Sequence, residues 1–483
     1  MIRRLTRCLL AIVVALVASA KTANGYDPAT THAGLTERSV LASELHRVLA
    51  RSLARPLGVF EPVVFSADAA DKREGRAIAA RLATLDPGAG YAPGPRGAAP
   101  ALAWVVAGSV IASTPAERGQ HLFYDPSRGS GLSQPGGIGA LGHTFGQMID
   151  TTGGVRAFFT GTDFSLTGRP STEWLVAPEN DVGLPVFYAQ LDAAIAGEQP
   201  AQRSSALARA LLALGGTLAV LQEAGEPAHV RNDFRRSYLG NVGPSPLDRG
   251  SAYERFVAET YGRTGIPVAA TPVKRPTVMA FITAADAQGL ADRTQRRFFS
   301  EGSLPEDAVV DVGTNTAEVM SDVRESLPYG LPAVPRLELR EISVRRYALT
   351  ADRKRRLFVY ERVPGRVRFS MDDAVYGDNA RLLLPEIGAY GAGLIDHLFR
   401  AEITLQVANG EATVAVSGAR GGVRKGEIRV FAEDDSGARR ALGSVGATGG
   451  TVTIPAGTKR VAAVLRGEDE AGDLVAVCER AVR

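Results

Sequence analysis

The sequence predicts a mainly α protein, a helical bundle with a β-sandwich appended at its C-terminus. Two observations carry this. The run Ser204–Glu223 is apolar on nearly every face, which marks a helix buried among others. After Arg400 the pattern changes to short alternating runs, Ile403–Val407, Thr413–Val416, Glu427–Phe431, Thr451–Ile454, Arg460–Leu465 and Leu474–Cys478. Gly- and Asp-rich turns separate these runs, the spacing of a sandwich the size of one immunoglobulin-like module.

The elements follow in order. Arg3, Arg4 and Arg7 precede an apolar run from Leu9 to Ala18 and the small residues Ala18-Ser19-Ala20. That is the form of a secretory signal peptide over residues 1–20, so the mature protein is expected to be secreted or periplasmic. The run is too short to span a bilayer, and no transmembrane segment is expected elsewhere. The 483 residues carry 55 Lys and Arg against 52 Asp and Glu. Removing the leader takes three arginines with it, leaving a chain close to neutral with no evident nucleic-acid patch. Of the two cysteines only Cys478 would remain, which excludes an internal disulfide framework. A chain of this length buries enough surface without one.

Residues 35–55 place Leu41, Leu45, Val48, Leu49 and Leu53 on one helical face. Residues 67–85 read as a second helix, and a Gly-, Pro- and Ala-rich loop follows to Pro100. Ala101–Ile111 is apolar enough for helix or strand. Gly215-Gly216 inside the long helix indicates a close approach or a kink. Ser251–Tyr261 and Ala284–Phe299 read as helices, as does Pro385–Phe399, with its proline in the first turn. Leu357–Tyr360 and Arg366–Phe369 read as a hairpin. The expected layout is a helical domain over 21–335, a hairpin and final helix completing it over 336–400, and the sandwich over 401–483.

The chemistry is concentrated in Leu218–Phe234. Glu223 ends the buried helix six residues before His229, with Pro227 between them. A carboxylate on a helix and a histidine in the following turn make the frame of a metal site. One turn before Glu223, where a second ligand is expected, stands Ala219. Of the six histidines, His46 lies within the first helix, His397 near the end of the last, and His143 in a Gly-rich stretch with no carboxylate at ligand spacing, so all three are assigned packing or surface roles. His32 stands in a helix-entry loop with Thr36 as a candidate cap.

Several segments together carry a resemblance: Thr31-His32-Ala33-Gly34-Leu35-Thr36-Glu37, His121-Leu122-Phe123-Tyr124-Asp125-Pro126, Ala219–Asp233, Ser251–Val257 and Leu290–Ser300. In this order, over roughly residues 26–400, the chain resembles the bacterial zinc-dependent phospholipases C and the related fungal single-strand nucleases. The resemblance implies a phospholipase C-type helical bundle with three zinc ions in a cleft. There the metals bind a phosphodiester and activate a water, which an aspartate orients.

Carried over residue by residue, the resemblance implies that His32 partners the amine of a mature N-terminus. The family usually begins with Trp; here Tyr26 lies six places before His32, after Ala23-Asn24-Gly25. Glu223 matches the carboxylate bridging two zincs, His229 the histidine after the proline turn, and Glu254 the carboxylate on the next helix. Four family ligand positions are vacated: Ser113, Leu122, Ala219 and Gly250. A residual zinc site would combine His229 and Glu254 with Asp233 or Asp248, and His121 could serve as a displaced ligand. A second would pair His32 and Glu223 with the N-terminal amine. Leu122 and Ala219 are expected to pack the former metal space with apolar groups. Glu223 would then need His32 or His229 as partner, because an unpaired buried carboxylate is costly. Asp125 is expected to cap the turn before Pro126.

Two functions stand. One is a secreted phosphodiester hydrolase by ancestry, with a degenerate zinc site, fewer metals and weak or lost activity on phospholipid or another phosphodiester. The other is a non-catalytic envelope or ligand-binding protein that uses the old cleft or the β domain.

Overall fold

The computed structural model describes residues 26–67, 72–114, 116–134, 166–233, 251–304, 308–309, 338–342, 345–350, 352–363 and 366–482. The expected signal peptide, His143, Asp248 and Gly250 lie outside them.

The chain enters at the fully buried Tyr26 and makes one π-helical turn, Pro28–His32, whose N-cap Asp27 accepts from Thr30 N at 2.8 Å. Helices α1 (Ala33–Ala42) and α2 (Leu45–Arg51) follow. The single helix expected over 35–55 is therefore two. Ser43 is extended between them; its hydroxyl donates to Val40 O and accepts from Leu45 N, so the side chain competes with the helical ladder. Leu41 consequently lies 50 % exposed rather than on the buried face. Strand β1 (Pro62–Val64) pairs with β2 (Ala98–Pro100) on either side of α3 (Lys72–Leu82). Ala101–Ile111 is a helix, α4, buried along almost its whole length. A short pair, β3 (Ser133–Gln134) with β4 (Leu166–Thr167), precedes α5 (Ser171–Val176), α6 (Leu184–Ala196) and α7 (Pro200–Glu223).

Helix α7 is the axis of the main core. It is long and apolar enough to cross a membrane, yet 94 % of its apolar window is buried inside the protein, as a core helix requires. Its glycine pair marks close approaches. A Cβ on Gly215 would lie 1.9 Å from Val105 O in α4, and one on Gly216 would lie 2.3 Å from Val182 O. Helices α8 (Ala252–Tyr261), α9 (Val278–Ile282), α10 (Leu290–Arg297) and α11 (Asp373–Leu398) complete the helical part. Helix α10 is shorter than the expected Ala284–Phe299, because Asp292 accepts from Ala284 N and Gly289 N and ties the preceding loop. Helix α11 starts at its N-cap Asp372, which accepts from Val375 N at 3.1 Å. Pro385 stands in the helix interior, not in its first turn.

The mainly α expectation is corrected. Helix and strand take 43 % and 23 % of the structure, a mixed α/β protein. Besides the C-terminal sheets, a five-stranded antiparallel sheet runs in the order β5–β9–β8–β7–β6. Its strands are Ala308–Val309 (β5), Glu338–Ile342 (β6), Arg345–Leu349 (β7), Arg356–Val363 (β8) and Arg366–Ser370 (β9). The expected hairpin is its β8–β9 pair, with Tyr360 opposite Phe369. The rest escaped the sequence reading because these strands are short and arginine-rich. Tyr347, Leu349 and Val359 form a small apolar cluster with Val375 of α11, and the buried Phe358 packs edge-on against Phe299 and Phe369.

At the C-terminus, β10 (Glu402–Ala408), β11 (Glu411–Ser417) and β14 (Gly449–Thr453) form one sheet. A second contains β12 (Lys425–Glu433), β13 (Arg439–Gly446), β15 (Arg460–Asp469) and β16 (Gly472–Ala481). Ile403, Leu405 and Val414 of the first share a core with Ile428, Val430, Leu465 and Leu474 of the second, so the two form a sandwich. Edge strand β13 was not foreseen; it is mostly solvent-facing and lacks apolar alternation. The sandwich joins the helical part through Phe431, Val464 and Val475, which belong to the main core. Arg439 ties the junction by donating to Ile195 O, Glu433 and Glu479.

Candidate metal centre

The C-terminal end of α7, the π-helical turn, the loop after α7 and the start of α8 bring four of the expected residues together. Glu223 Oε1 accepts from Tyr26 N at 3.0 Å and lies 2.6 Å from His32 Nε2. On the other side of His32, Nδ1 lies 2.5 Å from Gln222 Oε1, while Gln222 Nε2 donates to Thr36 Oγ1 at 2.8 Å. The donation to Thr36 fixes the amide, so Nδ1 carries a hydrogen toward Gln222 and Nε2 is directed at Glu223. Burial pulls the His32 pKa down, but the charge and hydrogen bond of Glu223, with Gln222 behind them, raise it above its usual 6.5. His32 and Glu223 are thus a buried pair that becomes an ion pair when His32 is protonated.

His229 sits in a short 3₁₀ turn, its ring stacked on Phe123 at 3.8 Å. Nδ1 lies 3.2 Å from both Leu122 O and Glu223 Oε2, but only the carbonyl makes a hydrogen bond with it. Glu223 Oε2 is buried with no hydrogen-bond partner. His229 Nε2 is 3.8 Å from Glu254 Oε1. Burial lowers the His229 pKa, more than Glu223 and the Leu122 carbonyl raise it, which keeps the ring neutral and ligand-competent.

Glu254 is the N3 residue of α8 and closes a capping box: Oε2 accepts from Ser251 N at 2.8 Å, and its own N donates to Ser251 Oγ at 3.1 Å. That occupies Oε2 and directs Oε1 to His229. Glu223, His229 and Glu254, all buried, thus offer ligand atoms within 4.8 Å of one another. Ligands at about 2.1 Å from one tetrahedral ion stand ~3.4 Å apart, so the set, now within 4.8 Å, would close by up to about 1.4 Å around an ion.

The sequence reading missed Glu226. Its Oε2 accepts from His229 N at 2.7 Å and its Oε1 from Ser251 Oγ at 3.2 Å, pinning the loop after α7 to the cap of α8. Burial above all, then the charge of Glu254, pushes its pKa far above the carboxylate range, so it stays protonated. An acidic residue beside Pro227, between Glu223 and His229, was the available signal. Ser251-x-x-Glu254 was likewise legible as a capping box.

The other candidates are held elsewhere. Asp233 accepts from Gly302 N at 2.5 Å and secures the Glu301–Ser303 turn; it is outside the convergent group. His121 accepts from Arg169 N and stacks on Trp174 at 4.3 Å, also outside the group. Asp248 and Gly250 lie beyond the described residues. Ser113, Leu122 and Ala219 are buried, and Leu122 and Ala219 belong to the main core. Asp125 caps its turn through Ser127 N at 2.9 Å. Compared with protein-family models, curated proteins and solved structures, the chain matches none.

Proposed function

We propose that Glu223, His229 and Glu254 hold one divalent metal ion, and that the chain is a secreted or periplasmic phospholipase C/nuclease-like protein whose centre keeps one ion of a larger ancestral set. The observation that carries the reading is Glu223 Oε2, a buried oxygen without a hydrogen bond, facing His229 and close to Glu254. An ion there would satisfy an atom whose burial is otherwise costly. One imidazole and two carboxylates suit zinc, and manganese also fits this donor set.

A bound ion supplies Lewis acidity and a more acidic water. The chain's own residues orient the ligands: Tyr26 N and His32 fix one oxygen of Glu223, Leu122 O and Phe123 fix the His229 ring, and Ser251 fixes Glu254. One ion cannot clamp both oxygens of an in-line displacement as a metal pair does. With Ala219 and Leu122 packed into the core, phosphodiester hydrolysis is weak or lost, and the ion chiefly secures the loop after α7.

The test adds zinc or manganese to chelator-stripped protein, followed by thermal melting and hydrolysis of bis(p-nitrophenyl) phosphate. The expected result is a higher melting temperature with turnover no faster than in His229→Ala. No thermal response to either metal would overturn the site. Rapid hydrolysis abolished by His229→Ala and Glu254→Ala would overturn the loss of activity.

A further inference from the structure

The stretch from Arg51 to Val64 exposes apolar side chains in a turn that is rigidly built. Leu57 is 56 % exposed, Phe60 54 % and Val64 42 %, the largest such cluster along the chain among the described residues. The turn is held from within by Arg55 N to Leu49 O, Gly58 N to Arg55 O and Phe60 N to Leu57 O. Glu61 accepts from Leu57 N at 3.2 Å. Gly58 has a φ of +58°, and a Cβ there would meet the His46 ring at 2.5 Å, so only glycine fits. That ring packs against Phe60, while Val59 and Val63 anchor the turn in the core. From the sandwich, Glu479 N donates to Ser52 O and Arg480 Nη1 to Arg51 O. The apolar tips are therefore presented to solvent by a braced support, without ordering cost on contact.

Arg51 and Arg55 precede these tips in the same stretch, and Arg480 reaches it through Arg51 O. Arg51 and Arg480 are exposed and Arg55 is half-buried, and none of the three has a carboxylate partner among the described residues. Arg47, by contrast, is paired with Glu44 and Glu402. Glu61 is the one carboxylate within the turn, and it is engaged by Leu57 N.

We propose that this turn docks the protein on an anionic lipid surface, with Leu57 and Phe60 entering the interface and Arg51, Arg55 and Arg480 facing the headgroups. Two or three side chains fall far short of the ~800 Å² per partner that a specific protein interface buries. Interfacial anchoring needs only apolar tips beside cations. The inference is independent of the metal centre.

The test is sedimentation of the full chain with vesicles of phosphatidylcholine alone or mixed with phosphatidylglycerol. Binding is expected to the mixed vesicles only, and to weaken with added salt. Leu57→Asp with Phe60→Asp should lower the affinity about tenfold or more, as loss of both apolar anchors requires. Arg51→Glu with Arg55→Glu should remove the preference for anionic vesicles. An unchanged thermal melt of each variant checks that the fold is intact. Failure to bind mixed vesicles, or binding indifferent to both variants, overturns the proposal. So does a dimer seen by light scattering and abolished by Phe60→Asp, which would make the turn a seat for a second copy.

Discussion

Glu223→Gln isolates the charge at the centre of the proposed site. In metal-free protein, Glu223 Oε1 accepts from Tyr26 N and pairs with His32 Nε2 at 2.6 Å. Glutamine keeps the shape and an acceptor for Tyr26 N, but gives His32 no counter-charge. A hydrogen bond to a charged group contributes ~1.5–3 kcal/mol, so the variant should lose about 2 kcal/mol where His32 is protonated. The pH dependence has a definite sign. The folded pKa of His32 is raised above 6.5, so its contribution is complete below 6.5 and lost as pH rises through the folded value. His229 is lowered, chiefly by burial, and penalises the folded state below 6.5. The Glu223 charge moderates that penalty, so removing it widens the acid-side gap as well. Urea unfolding with chelator present should show the wild-type–variant gap near 2 kcal/mol at about pH 6 and markedly smaller at about pH 9. A gap equal or larger at the alkaline pH, or none at the acid one, would refute the ion-pair assignment.

Three further outcomes follow from the geometry. Glu254→Gln preserves the capping box and should leave metal-free stability within about 0.5 kcal/mol while weakening metal binding, whereas Glu254→Ala should also cost about 1 kcal/mol; paired melts and metal titrations separate the two. Gly215→Ala would push a Cβ against Val105 O at 1.9 Å and should cost more than about 3 kcal/mol in urea unfolding. Arg439→Ala leaves Glu433 and Glu479 with only Arg203 and Arg460 as partners; a loss of about 3 kcal/mol is expected, and unchanged stability would contradict the junction described.

Periodicity made α7 and most of the sandwich strands legible, because both bury a full apolar face. The break at Ser43 was hidden because the apolar spacing of Leu41 and Leu45 continues across it, although a side-chain hydrogen bond decides the backbone there. The five-stranded sheet was hidden because its strands are mostly short and arginine-rich, and because β5 joins β9 from far away in sequence. At the site, Glu223, His229 and Glu254 converge, whereas the expected residual sites had grouped His229 and Glu254 with Asp233 or Asp248, and Glu223 with His32. His32 converged on Glu223 as its ion partner and is outside the three-residue group. Asp233 and His121 could not be assigned from spacing, since Gly302 and Trp174, which hold them, are distant in sequence. Glu226 went unnoticed because its role depends on Ser251, a residue of another helix cap.

Metal content tests the central claim most directly. Chelator-stripped protein dialysed against zinc and then freed of unbound ion should retain one ion per chain by elemental mass spectrometry, and none in His229→Ala. Zero ions in the wild type, or three, would contradict a single-ion centre formed by Glu223, His229 and Glu254.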